Sequence, residues 1–318
     1  MDAEITLDEL KAARSGAFVH IAENLGVLRV DGRDTLDLLN RLGTNKVDAL
    51  RPGELRETLF TTEKGRVIDA VIVVASARGA RVLVSSGKAA VVREWLERYT
   101  IMDDCEYTDV SAMYQHILLY NAPRMPALFA IPEPGVSVRT ELADAEIELM
   151  HVPSVVGTHV RLLCKAQDAA TVLRVLEDGG LRVIHDRAFS LWRCETLTPA
   201  VGHELTENSN PLESGAAAAV DFNKGCYIGQ EVIARLDSYD KVQRHLARIT
   251  IEAEAQLRIP SGTPLTSDER DAGFITTAAY HPGEGRWLGI ACIRNAFSAS
   301  GTILRLKTDI VSADVTVT

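Results

Sequence analysis

No run of about 18 apolar residues occurs anywhere in this chain of 318 residues, which excludes a membrane-spanning helix. The opening MDAEITLDEL is acidic and lacks the basic and apolar blocks of a secretory leader. Cysteine is sparse, at Cys105, Cys164, Cys194, Cys226 and Cys292, with no CxxC pair. That spacing argues against a zinc site and a disulfide scaffold and makes a reducing cytoplasm the simplest home. Basic charge is also short: 34 Lys and Arg against 44 Asp and Glu give a net charge of −10, which disfavours nonspecific nucleic-acid binding. GxGxxG, Walker A and HExxH motifs are missing. Gly283, Gly285 and Gly289 have the wrong spacing for a dinucleotide loop and mark a hairpin turn instead. What remains is an ordinary globular composition, 46% hydrophobic, at a length that holds two or three domains.

Taken in order, Thr6 and Glu9 form a capping box for a first helix. Residues 18–21 and 27–30 read as strands. Asp34 caps a helix striped by Leu36, Leu39 and Leu42, and Gly43 stops it. Residues 55–62 and 67–75 form a hairpin around Glu63, Lys64 and Gly65. Its second strand is apolar on both faces: Ile68, Ala70, Ile72 and Val74 on one, Val67, Val71 and Val73 on the other. Asp69 interrupts the second face. It is either a carboxylate held for use or a cap on a neighbouring turn. Residues 81–85 (strand) and 88–99 (amphipathic helix) complete an α+β unit with an antiparallel sheet.

A second unit of similar order follows, with strands at 116–120, 146–152 and 159–163 and a helix at 167–177. The stretch 122–135, with Pro123, Pro126, Pro132 and Pro134, is a linker. Residues 189–195 form a short helix. The irregular HELTENSN holds His203, Glu204 and Glu207, which suit a solvated loop better than a metal site. Strands at 242–251, 263–265, 273–279, 287–293 and 303–311, separated by turn signals, make a small all-β terminal domain. The divisions expected are 1–112, 113–242 and 243–318, with segment exchange between the first two.

The densest chemistry lies at residues 221–235, DFNKGCYIGQEVIAR. Gly225 and Gly229 bracket Cys226 on a tight turn, and a helix follows from Gln230. A thiol before a helix start, with Lys224 two residues back, sits where positive potential favours a thiolate. An inert, buried cysteine in a glycine-rich turn is the other reading.

KGCYIGQExxxR, with the preceding PLESG at 211–215, resembles the signature of the YgfZ family of folate-binding proteins. These are relatives of the glycine-cleavage T-protein (aminomethyltransferase) and support the making or repair of iron–sulfur enzymes. RLGTNKVDALRPGE, KGRVIDAVIV, WRCETL and GFITTAAYHPGEGRWLGIACI resemble further T-protein segments. The resemblance implies two ferredoxin-like, antiparallel α+β domains plus a small C-terminal β-barrel, three domains around a central folate cavity.

It also implies site residues. Glu195 accepts the two parallel N–H donors of a pterin, Arg235 meets the folate tail, and Lys224 and Tyr227 belong to the same pocket. Asp69 lies near the reactive nitrogens, and Cys226 acts on a client. Two departures from T-proteins favour the YgfZ side: Asp69 is followed by Ala70 where T-proteins carry paired aspartates, and Cys226 is present. The implied function is a tetrahydrofolate-binding protein that assists iron–sulfur cluster assembly or repair through Cys226, with iron–sulfur client or assembly proteins as partners. It would be aminomethyltransferase-like without being a classical aminomethyltransferase. The alternative is a folate-dependent aminomethyl or methyl transferase of the T-protein type.

Overall fold

The structure, a computed structural model, describes residues 5–121, 128–239, 241–307 and 312–318. Pro123 and Pro126 of the expected linker, and residues 308–311 of the expected last strand, lie outside the described residues.

Helix α1 (Leu7–Ser15) starts at the Thr6–Glu9 capping box that the sequence predicts. Strand β1 (Phe18–His20) follows and joins a sheet made mostly of later residues. Next come β2 (Gly26–Asp31), α2 (Thr35–Leu42), β3 (Leu55–Thr61), β4 (Val67–Ser76), β5 (Gly79–Val84), α3 (Ala89–Tyr99) and β6 (Glu106–Asp109). Their five strands form one sheet in the order β3-β4-β5-β2-β6, every pairing antiparallel. Asp34 does not cap α2 with its side chain; its carboxylate accepts from the Asp104 amide at 2.9 Å instead. Gly43 ends α2 as predicted, donating to the Leu39 carbonyl at 2.9 Å.

The second sheet has the order β11-β1-β7-β10-β9-β8. It is built from β7 (Tyr114–Tyr120), β8 (Ser137–Leu142), β9 (Ala145–Val152), β10 (His159–Lys165) and β11 (Arg182–Ile184), together with β1. All its pairs are antiparallel except β1 with β11. Helix α4 (Ala169–Asp178) covers its outer face through Val172 and Leu176. On the inner face, Met150, Val152 and Leu163 pack on Leu55, Ile72 and Val74 of the first sheet. The outer face of the first sheet packs on α2 and α3 through Val71, Val73, Leu38 and Trp95. The two sheets therefore lie face to face with helices outside, which is why β4 reads as a nearly continuous apolar run. A bulge in β4 at Ile68, opposite Phe60 and Thr61, corrects the expected alternation: Ile68 joins the helix side and Val67 the other.

Helices α5 (Asp186–Thr196) and α6 (Gln230–Ser238) flank the irregular stretch 198–215. The third domain is a closed barrel ordered β12-β15-β14-β13-β16-β17. Its strands are β12 (Arg244–Ile251), β13 (Pro264–Ser267), β14 (Arg270–His281), β15 (Arg286–Arg294), β16 (Ile303–Lys307) and β17 (Ser312–Val317). The turn between β14 and β15 carries Gly283 and Gly285, the hairpin that the glycine spacing suggested. Leu10 of α1, Leu191 and Cys194 of α5, and Ala279 and Ile290 of the barrel share one small core. That core binds all three parts at a single junction. The chain is thus an α+β protein of three domains.

Candidate functional site

The cysteine turn is built as expected at one glycine. Gly229 has φ +83°, and a Cβ there would sit 2.6 Å from the Thr62 carbonyl and 2.8 Å from Thr61 Oγ1. Gly225 has open space around it and needs no such freedom. Thr61 Oγ1 donates to the Ile228 carbonyl at 2.5 Å, which pins the turn to the end of β3. Cys226 is exposed, Cys105 is half-buried, and Cys164, Cys194 and Cys292 are buried. The inert, buried alternative does not describe Cys226.

Around it, Lys224 and Tyr227 turn inward and Arg235 faces outward. Lys224 is buried, and its ammonium donates to the carbonyls of Asn40, Gly43 and Asn45 at 2.5, 2.6 and 3.0 Å. It caps the C-terminal end of α2, where a cation is favoured. Burial lowers its pKa to about 8. With all three N–H groups on backbone oxygens, Lys224 holds neither the thiol nor a folate tail. Tyr227 is buried, with the Lys224 ammonium 5.6 Å from its ring centre and its hydroxyl unpartnered. Arg235 is exposed on α6.

Asp69 is fully buried. One oxygen accepts from the Ala70 amide at 2.9 Å and the other from the Ser85 amide at 3.0 Å. Burial raises its pKa to about 6, against the pull of those bonds and of Lys88. Asp69 pairs with Phe60, whose ring lies on the α3 side against Trp95. Opposed residues share a face, so Asp69 points to the helix side and caps the Ser85 turn. The expected catalytic carboxylate is turned away from the layer between the sheets; the residue of β4 that shares the face of Leu59 there is Ala70.

Glu195 stands where α1, α5 and the barrel meet. Arg14 grips it through Nε at 3.0 and 3.1 Å and through a second nitrogen, Nη2. His281 Nε2 is 3.8 Å away. Beside it, Glu204 is not in a solvated loop. It is buried, ion-paired with Arg193 at 2.8 Å and bonded to Thr277 at 2.7 Å. Arg193 also donates to Thr277 at 2.9 Å, so the pair ties α5 to β14. Among the described residues no group of three His, Cys, Asp or Glu could hold a metal ion.

The structure gathers a different set between the sheets. Glu57 of β3 is buried and accepts from Ser154 Oγ at 2.5 Å and the Val155 amide at 2.8 Å. Burial pushes its pKa up to about 7. Tyr120, His116, His159 and Arg161 occupy one face of β7 and β10, as the pairs His159–Tyr120, Arg161–Leu118 and Leu163–His116 require. All four are buried. Burial lowers the Arg161 pKa to about 10, against the pull of Tyr120, Glu57 and Asp69. Arg161 Nε, His159 Nε2 and both His116 nitrogens have no hydrogen-bond partner. The sequence does carry a signal for these residues: HVR at 159–161 places two polar groups on one face of an apolar strand, and Glu57 does the same in β3. That period-two signal lacks any motif to mark it.

Residues 2–121 match the GCVT N-terminal domain family. The chain is 26% identical over 326 residues to an aminomethyltransferase of Geobacillus kaustophilus, covering 96% of this chain and 88% of that one. It is 26% identical over 310 residues to an aminomethyltransferase of Anoxybacillus flavithermus, covering 93% and 84%. The crystal structure of glycine cleavage system aminomethyltransferase T from Bartonella henselae superposes with a TM-score of 0.77 at 15% identity, over 98% of this chain and 87% of that one. Residues 2–121 are thus similar in sequence to the GCVT N-terminal domain, and the chain shares the fold of that aminomethyltransferase over 98% of its length. No helix among the described residues is long and apolar enough to cross a membrane.

Proposed function

We propose that the chain binds tetrahydrofolate where its three domains meet and serves as a folate-dependent transferase of the aminomethyltransferase type. The observation that carries this reading is the Arg14–Glu195 contact. A planar fork of N–H donors lies against the Glu195 carboxylate, and a pterin presents the same paired-donor edge through N3–H and its 2-amino group. A carboxylate that accepts such a fork at the α1, α5 and barrel junction supports the reading. The folate would supply the nitrogen that carries the one-carbon unit. Glu195 would hold and orient the ring. Glu57, not Asp69, would be the buried carboxylate between the sheets able to exchange a proton near neutral pH. Calorimetry with tetrahydrofolate on wild type and Glu195→Ala tests the reading. Binding weakened at least tenfold in the variant supports it, and equal binding overturns it.

A second reading gives the same folate-binding chain a role in iron–sulfur cluster assembly or repair, with Cys226 engaging a client protein. Its support is that Cys226 alone of the five cysteines is exposed. Cys226→Ser should then lower the activity of an iron–sulfur client enzyme in cells while leaving tetrahydrofolate binding intact. Unchanged client activity removes this reading.

A further inference from the structure

The inner face of the second sheet holds an unusual set of unfulfilled polar atoms. Arg161 is 6% exposed, His116 2% and His159 0%. A guanidinium offers five N–H donors, and the Nε of Arg161 is buried with no hydrogen-bond partner. Glu57 is near enough to pull on its charge, but both Glu57 oxygens are engaged by Ser154 and Val155. His159 Nδ1 lies 2.8 Å from the Gly157 carbonyl. A carbonyl only accepts, so Nδ1 carries the hydrogen and Nε2 is a bare acceptor. Arg161 and His159 are two residues apart on the same face of β10, about 6–7 Å along the strand. A buried guanidinium N–H without an acceptor, beside a buried acceptor without a donor, is costly unless something supplies both.

We infer that this layer binds a small ligand carrying a carboxylate next to an N–H group, the carboxylate on Arg161 and the N–H on His159. Two molecules share that chemistry: a free small amino acid, and the glutamyl end of a folate, whose amide N–H adjoins its α-carboxylate. Only the second source rests on the folate reading above. Residues 154–157 lie over the layer and are held by Glu57, Ser154 and the Gly157–His159 contact.

The test is thermal denaturation and calorimetry of the whole chain with four probes: glycine, N-(4-aminobenzoyl)-L-glutamate, acetate and methylamine. Saturable binding of glycine or of the aminobenzoylglutamate, at least tenfold tighter than acetate or methylamine, supports the inference and names the source. Arg161→Met should abolish that binding and raise the melting temperature of the free protein, because an uncompensated charge has gone. Arg161→Lys keeps the charge without the fork and should weaken binding at least fivefold; it decides the matter if Arg161→Met does not fold. Side-chain NMR signals of His116 and His159 should shift on saturation. No saturable binding of either bifunctional probe, or unchanged affinity in the Arg161 variants, overturns the inference and leaves internal water as the partner of these atoms. Tetrahydrofolate binding that depends on Glu195 is read separately, so loss of one claim is distinguishable from loss of the other.

Discussion

Arg14 of α1 closes its guanidinium on Glu195 of α5, and the same Nη2 lies 2.7 Å from His281 Nε2 of the barrel. One arginine thus touches a side chain from each of two other parts of the molecule. If a pterin needs the Glu195 carboxylate, Arg14 competes with it. Arg14 is nearly half exposed, so the pair contributes only about 0–1 kcal/mol. Arg14→Ala should therefore tighten tetrahydrofolate binding by a factor of up to about 5 in calorimetry. Weaker binding in the variant would make Arg14 part of the ligand site instead.

Glu57 makes stability depend on pH in a defined direction. Its folded pKa, about 7, lies above its ordinary 4.5. The folded state therefore holds the proton more tightly, and the stability Glu57 contributes is complete below pH 4.5 and is lost as pH rises through 7. Glu57→Gln cannot ionise. Compared with wild type, it should gain on the order of 2–3 kcal/mol between pH 5 and pH 8. Urea denaturation at the two pH values measures this, and a pH-independent difference would contradict it.

Lys224→Met removes the three donors that close α2. Charge-assisted bonds to buried carbonyls are worth about 1.5–3 kcal/mol each before relaxation, and a total loss of about 2–4 kcal/mol is expected in chemical denaturation. Tetrahydrofolate affinity should not change. Lost affinity at unchanged stability would restore a ligand-binding role to Lys224.

Thiol labelling should be dominated by one site. Burial raises the pKa of Cys164 and Cys292 to about 11 and of Cys194 to about 12, whereas Cys226 is exposed. Native protein treated with iodoacetamide at pH 8 should lose one thiol quickly. Peptide mapping should place it at Cys226, and Cys226→Ser should remove the fast phase.

Glu204→Gln breaks the buried ion pair with Arg193 and weakens the Thr277 contact. Leaving a buried guanidinium without its anion costs about 3–5 kcal/mol. The melting temperature should fall steeply, and the barrel should become more sensitive to protease. A mild effect would mean that water replaces the carboxylate.

Much of the fold is legible in the chain because it obeys local rules. The Thr6–Glu9 box, the Gly43 stop and the hairpin into β4 all follow from side-chain chemistry close in sequence. What the sequence hides is short or polar. β11 has three residues and takes its partner from β1, and β8 carries no buried residue to mark it. The site divides the same way. Gly229 announces its turn, but the fate of Lys224 depends on carbonyls about 180 residues earlier, which no spacing encodes. The partner of Glu195 is likewise 181 residues away. Asp69 was readable as either of two things; its alternation with Val71 and Val73 gives its face, and only the fold brings the Ser85 amide to it.

Strand β1 bonds on one side to residues 118–120 and on the other to residues 182–184. A ribosome therefore releases β1 well before either neighbour exists. The sheet of β2 to β6, drawn wholly from residues 26–109, can close meanwhile as an uninterrupted unit. Through that interval β1 has unpaired edges and no cover, and its correct seating depends on order of emergence as much as on affinity. Slowing translation between residues 120 and 182 would prolong the exposure of the edge that awaits residues 182–184, which makes chaperone demand during synthesis a property of the topology itself.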